Sequence, residues 1–143
     1  MILEPKKRPA GVTALSIFFM AGSLICFIAT LSLLLPKSFV EPMWRLNPRA
    51  RAGFAVMGQW AIVLLFTVGV SCAAAAIGPW RGSRYGHRIA FGLIAINLVG
   101  DLINTLLGIE PRAIVGVPIA LAILLYLASN RVRIFFRSSE ADG

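Results

Sequence analysis

The chain has 143 residues, 58% of them hydrophobic and 14% charged, with a mean hydropathy of +0.82. Soluble domains use roughly 45–50% apolar and about 25% charged residues, so an ordinary water-soluble core is excluded. The formal charge of +8 would suit nucleic acid. The basic residues, however, are spread over every segment end and not gathered on one module, which points to membrane topology instead.

The 14 Lys and Arg and the 6 Asp and Glu leave four long gaps, at 11–35, 53–77, 89–109 and 113–129, and only Asp101 interrupts them. At about 1.5 Å per residue these gaps reach roughly 37, 37, 31 and 25 Å, against a hydrocarbon core of about 30 Å. The expected fold is all-α: an integral membrane four-helix bundle, one transmembrane domain over 1–143, with a short interfacial helix between the first two spans. The loops are too short to bury a separate core, so any chemistry belongs in or at the membrane.

Before the first span, Lys6, Lys7 and Arg8 resemble the basic region of a signal peptide. The apolar stretch that follows is too long for a signal core of about 7–15 residues, and no A-x-A site precedes Pro36, so a retained helix is expected. Lys and Arg total 9 in the N-terminal, third and last polar segments and 5 in the other two. The positive-inside rule therefore places both termini in the cytoplasm of a cell inner (plasma) membrane protein. Ser16, Ser23 and Thr30 recur every seven residues in the first span and can form one seam.

Residues 36–51 mix Phe39, Met43, Trp44 and Leu46 with charges and three prolines. Pro42 fits the first turn of a short helix on the bilayer surface, and Trp44 beside Arg45 is the pairing expected at headgroup level. The segment reads as an anchor, or as a cap over a cavity. Asn47-Pro48 is set to cap the next helix, which can begin before the membrane. In the second span Gln59, Thr67 and Ser71 are polar, and residues 71–76 are a run of small side chains that lets helices approach closely.

Residues 79–88 hold Trp80, Arg81, Arg84, Tyr85, His87 and Arg88. Trp80 and the three arginines read as membrane-surface anchors. The alternative is a loop that binds anionic lipid or phosphate, although it contains no Walker or Rossmann pattern. His87 is the single histidine and is expected in this loop, and Cys26 and Cys72 lie in spans as packing residues. Neither a metal site nor a cofactor is expected.

The third span carries Asn97, Gly100, Asp101, Asn104, Thr105 and Gly108. All but Thr105 fall within an arc of about 100°, so one face is polar and the opposite face, with Ile96, Leu98, Val99, Leu102, Ile103, Leu106 and Leu107, suits lipid or apolar neighbours. A carboxylate at the bilayer centre costs about 2.5–3.5 kcal/mol on insertion scales, so Asp101 should face protein or a cavity. Its expected partners are Asn97 and Asn104, the hydroxyls of the first span, or Gln59, Thr67 and Ser71. Asp101 then either couples a proton or cation to transport or ties helices together, and a lone acid without a basic partner favours the tie.

The fourth span offers Gly116-x-x-x-Ala120 as a close-packing face, and Pro118 predicts a kink. The short turn over 108–112 makes the last two spans antiparallel neighbours. The tail from Asn130 to Arg137 is expected to continue the fourth helix into the headgroups.

Residues 44–51 (WRLNPRAR), 97–104 (NLVGDLIN) and 116–119 (GVPI) resemble segments of small bacterial four-span inner-membrane proteins to which no activity is assigned. The resemblance covers most of the chain and implies a bacterial inner membrane, with no catalytic role attached. Small multidrug exporters also have four spans, but they need an acid in the first helix, and this chain has none there. The residues thus predict a non-catalytic accessory or packing subunit whose partners are the lipid bilayer, other membrane proteins or its own copies. The alternative is a small ion- or proton-coupled transporter or channel component using Asp101. An enzyme ranks third, because no Ser/His/Asp or Cys/His set and no second intramembrane acid is present.

Overall fold

Long uncharged apolar runs in lipid satisfy their backbone only as helices, and helices are what the chain forms. The computed structural model describes residues 9–108 and 113–139. In chain order these make α1 (Ala10–Leu34), a 3-10 turn (Glu41–Arg45), α2 (Pro48–Met57), α3 (Gln59–Trp80), α4 (Arg84–Leu106), α5 (Ala113–Ala128) and α6 (Asn130–Ser139). There is no strand among the described residues. Three helices, α1, α3 and α4, are long and apolar enough to cross a membrane, and a fourth span is available if α5 and α6 are taken together.

Large apolar side chains such as Ile17, Leu24, Phe66, Ile96, Leu106 and Leu125 are exposed along these helices. Soluble monomers rarely present so much apolar surface, whereas lipid accepts it without cost.

The boundaries differ from the charge gaps in instructive ways. The second gap is divided at Gly58 (φ 57°, ψ −129°), whose amide still closes α2 on the Phe54 carbonyl. The apolar span proper is therefore 59–80, and α2 precedes it. As expected, Pro48 occupies the first turn of α2 and the Asn47 side chain accepts from the Ala50 amide at 3.1 Å. Pro42 likewise opens the 3-10 turn.

The expected loop over 79–88 is mostly helix. Only residues 81–83 separate α3 from α4. Ser83 N–H donates to Gly78 O at 2.9 Å and Gly82 N–H to Pro79 O at 3.1 Å, with Gly82 at φ 73°. This is a Schellman ending, which needs a left-handed residue at that point and finds glycine. α5 is continuous through Pro118, and the change of direction, 56°, falls at Ser129 between α5 and α6. The tail therefore turns away from the axis of α5. The 109–112 part of the turn before α5 lies outside the described residues.

The contacts divide into two compact units. In one, covering 19–73, Ala29, Trp44 and Leu65 form a core with Leu33, Met43, Ala50 and Phe54 packed on it. Here Ser23 Oγ donates to Gly69 O at 2.9 Å, and Phe27 and Phe66 meet edge to face, holding α1 to α3. The other unit comprises residues up to 18 and from 74 onward. In it α4 packs along α5, α6 folds back on both, and the Tyr126 ring of α5 lies on Gly11 of α1.

Candidate functional site

The polar face of α4 is assembled from its own spacing. Asn97 and Asp101, one turn apart, meet directly: Asn97 Nδ2 donates to Asp101 Oδ2 at 3.1 Å. Thr105 donates its hydroxyl to the Asp101 main-chain carbonyl at 2.7 Å. Asp101 and Asn104 are half-buried and Asn97 is exposed, while Ile96, Val99, Leu102, Ile103 and Leu106 on the far side are all exposed. Leu98 on the far side is half-buried and Asn97 on the polar side is exposed, so the division between the two faces is incomplete.

Across from it, the Asp101 carboxylate rests on Gly116 of α5. A Cβ built on Gly116 would collide with Oδ2 and lie 3.0 Å from Cγ. The acid thus fills the place a side chain would take on α5, and glycine is what admits it. This is a polar group seated on backbone, with Asn97 as its amide donor.

The hydroxyls expected as partners of Asp101 are committed elsewhere. Ser16 donates to Val12 O at 3.0 Å, Thr30 to Cys26 O at 2.8 Å, Thr67 to Val63 O at 2.8 Å and Ser71 to Thr67 O at 2.9 Å, each one turn back on its own helix. Ser23 bonds across to Gly69 instead. Such back-bonding is the ordinary way for membrane helices to satisfy Ser and Thr.

The residues read as surface anchors separate into two groups. Trp44 is only 6% exposed, and its indole N–H donates to Ser32 Oγ at 2.7 Å. It is a core residue that ties the connection back onto α1, and its ring meets Phe54 edge to face at 5.8 Å. Trp80, Arg81, Arg84 and Arg88 are exposed, in keeping with an anchoring position.

His87, expected in a loop, sits on α4. Its Nε2 is 2.9 Å from Leu127 O, and since a carbonyl only accepts, Nε2 carries the proton. The ring also lies against Phe136 of α6, with centroids 4.8 Å apart. Around this joint opens a cleft of about 560 Å³, lined by Arg84, His87, Arg88, Phe91 and Gly92 of α4, Leu127 and Ala128 of α5, and Arg133 and Phe136 of α6. The α4 positions follow the i, i+3, i+4, i+7, i+8 spacing of one helix face. The 56° bend at Ser129 brings Arg133 to the opposite wall.

A second cleft, of about 930 Å³, lies between the 3-10 turn and α2 and is lined by Lys37, Glu41, Arg45 and Arg51 among others. Glu41 is paired there with Arg51, and it also accepts from the Lys37 amide at 2.9 Å. The Arg51 hydrogen bond, foremost, holds the Glu41 carboxyl below its ordinary range, helped by the Arg51 charge and the Lys37 amide.

Compared with known protein families, with curated proteins and with solved structures, the chain has no match.

Proposed function

We propose that the chain is a non-catalytic, multi-pass protein of a bacterial inner (plasma) membrane, an accessory or packing subunit. It acts as a four-helix bundle in which α5 and α6 make one broken span, the 36–51 connection lies at the interface, and both termini face the cytoplasm. The observation that carries this reading is the seat of Asp101. Its carboxylate accepts from Asn97 on its own helix and packs closely on Gly116 of the neighbouring one, a contact that supports a role in holding α4 to α5. Asn97 remains exposed on the same helix, and an amide at that depth favours a further polar partner, supplied by a second copy or another membrane protein.

The thermal stability of the purified protein in lipid nanodiscs, from pH 4 to 9, tests this for the wild type and Asp101→Asn. Matching curves with a well-folded mutant support the tie. A pH dependence above pH 5 that disappears in the mutant overturns it in favour of a proton- or ion-coupled transporter, with Asp101 as the coupling group.

A further inference from the structure

We infer that the cleft between α4 and α6 is a binding site for a phosphate oxyanion, presented by the headgroup of an anionic phospholipid. Arg84 and Arg88, one turn apart on α4, and Arg133 on α6 line this cleft, and no acidic residue lines it among the described residues. A cleft lined by one sign of charge focuses its field on an ion of the opposite sign, here an anion. Guanidinium forks match phosphate oxygens two at a time, a geometry that ammonium groups do not supply.

The floor is fixed: the His87 bond to the Leu127 carbonyl and the His87–Phe136 ring contact hold α4, α5 and α6 together beneath the arginines. The apolar end decides the source of the phosphate. From Arg88 the lining passes to Phe91, 40% exposed and one turn further into the span, and the neighbouring Ile89 is 37% exposed. A ligand charged at one end and apolar at the other matches this wall, and basic pockets between membrane helices are known to take such headgroups.

Native mass spectrometry of the full chain, supplied with equal amounts of phosphatidylglycerol and phosphatidylcholine of matched acyl chains, tests the site. The wild type is expected to retain phosphatidylglycerol preferentially, and Arg88→Gln with Arg133→Gln to lower that retention about tenfold or more. Arg45→Gln with Arg49→Gln, which removes the same charge outside the cleft, is expected to leave it unchanged. Failure of excess inorganic phosphate to displace the lipid supports a headgroup as the source, and ready displacement overturns that part by showing a site for the free oxyanion. Absence of lipid preference in the wild type, or an equal loss in the control pair, overturns the site itself. Should the glutamine pair fold poorly, Arg88→Lys with Arg133→Lys keeps the charge and is expected to give intermediate retention, and full retention there counts against the guanidinium geometry.

Discussion

The Trp44 indole N–H donates to the Ser32 hydroxyl at 2.7 Å, joining the 3-10 turn to the last full turn of α1. Both residues are buried, so the bond has no water to replace it. Ser32→Ala leaves a buried indole donor unpaired and is expected to cost about 1–3 kcal/mol of unfolding free energy. In Trp44→Phe the Ser32 hydroxyl can turn to the Ile28 carbonyl one turn back, so the polar loss there is smaller. A double-mutant cycle in nanodiscs checks the pair, and a coupling energy near zero would show that the bond contributes nothing.

Asp101 and Gly116 predict a second coupling. Gly116→Ala forces a methyl into the space of the Asp101 carboxylate, so α4 and α5 must separate or the acid must leave its rotamer. Overpacking of this kind costs about 1–3 kcal/mol. Asp101→Ala clears the space, so Gly116→Ala is expected to be much milder in that background. Melting temperatures of the four proteins decide it: strict additivity would mean that the two side chains do not share the site.

Glu41 predicts the acid limb of the stability profile. Its folded-state pKa lies below its unfolded value because Arg51 bonds the carboxylate, so the pair stabilises fully above the unfolded value of about 4.3 and is lost as pH falls through the folded value. Both groups are at the surface, so the effect is small and weakens with salt. Glu41→Gln should lower the melting temperature slightly above pH 5, where the wild-type pair is formed, and the two profiles should converge as the pH falls below 5. An unchanged acid limb in that variant would assign the loss to another carboxylate.

That the chain is helical with three to four apolar spans, and that Asn97 and Asp101 share a face of α4, was legible in the sequence because both depend on local rules: charge is excluded from the hydrocarbon, and polar groups at helical spacing share a face. The Asn47 cap was legible for the same reason, since Asn and Pro act within one turn. What sequence reasoning missed depends on partners distant in the chain. Polar side chains were the expected partners of Asp101, and its neighbour on α5 is Gly116, which has none; the only signal in the sequence is the small-residue spacing from Gly116 to Ala120. Trp44 beside Arg45 has the composition of an anchor, and its burial is set by Ser32 and Phe54, 12 and 10 positions away. The break at Gly58 depends on one backbone dihedral inside an apolar run that shows no change of pattern.

Gly86 belongs to the stretch 79–88 expected as a loop, yet it lies buried inside α4. Its use is close approach. A Cβ on Gly86 would collide with the Gly78 backbone of α3 and lie 2.8 Å from Pro79 Cδ, and a Cβ on Gly78 would meet Gly86 in return, at 3.0 Å from its amide nitrogen. The two helices therefore touch main chain to main chain just before the Schellman turn that links them. In an isolated helix Gly→Ala gains about 1 kcal/mol, so the sign of Gly86→Ala discriminates between the two explanations of this residue. Because the atoms in the way are backbone and a proline ring, neither of which can rotate aside, the variant is expected to destabilise by about 1–3 kcal/mol despite its better helix propensity. The control is Gly92→Ala on the same helix, where a Cβ meets nothing within 4 Å and the propensity gain should appear undiminished. Unfolding in mixed micelles measures both, and a stabilised Gly86→Ala would mean that α3 and α4 do not approach at this point.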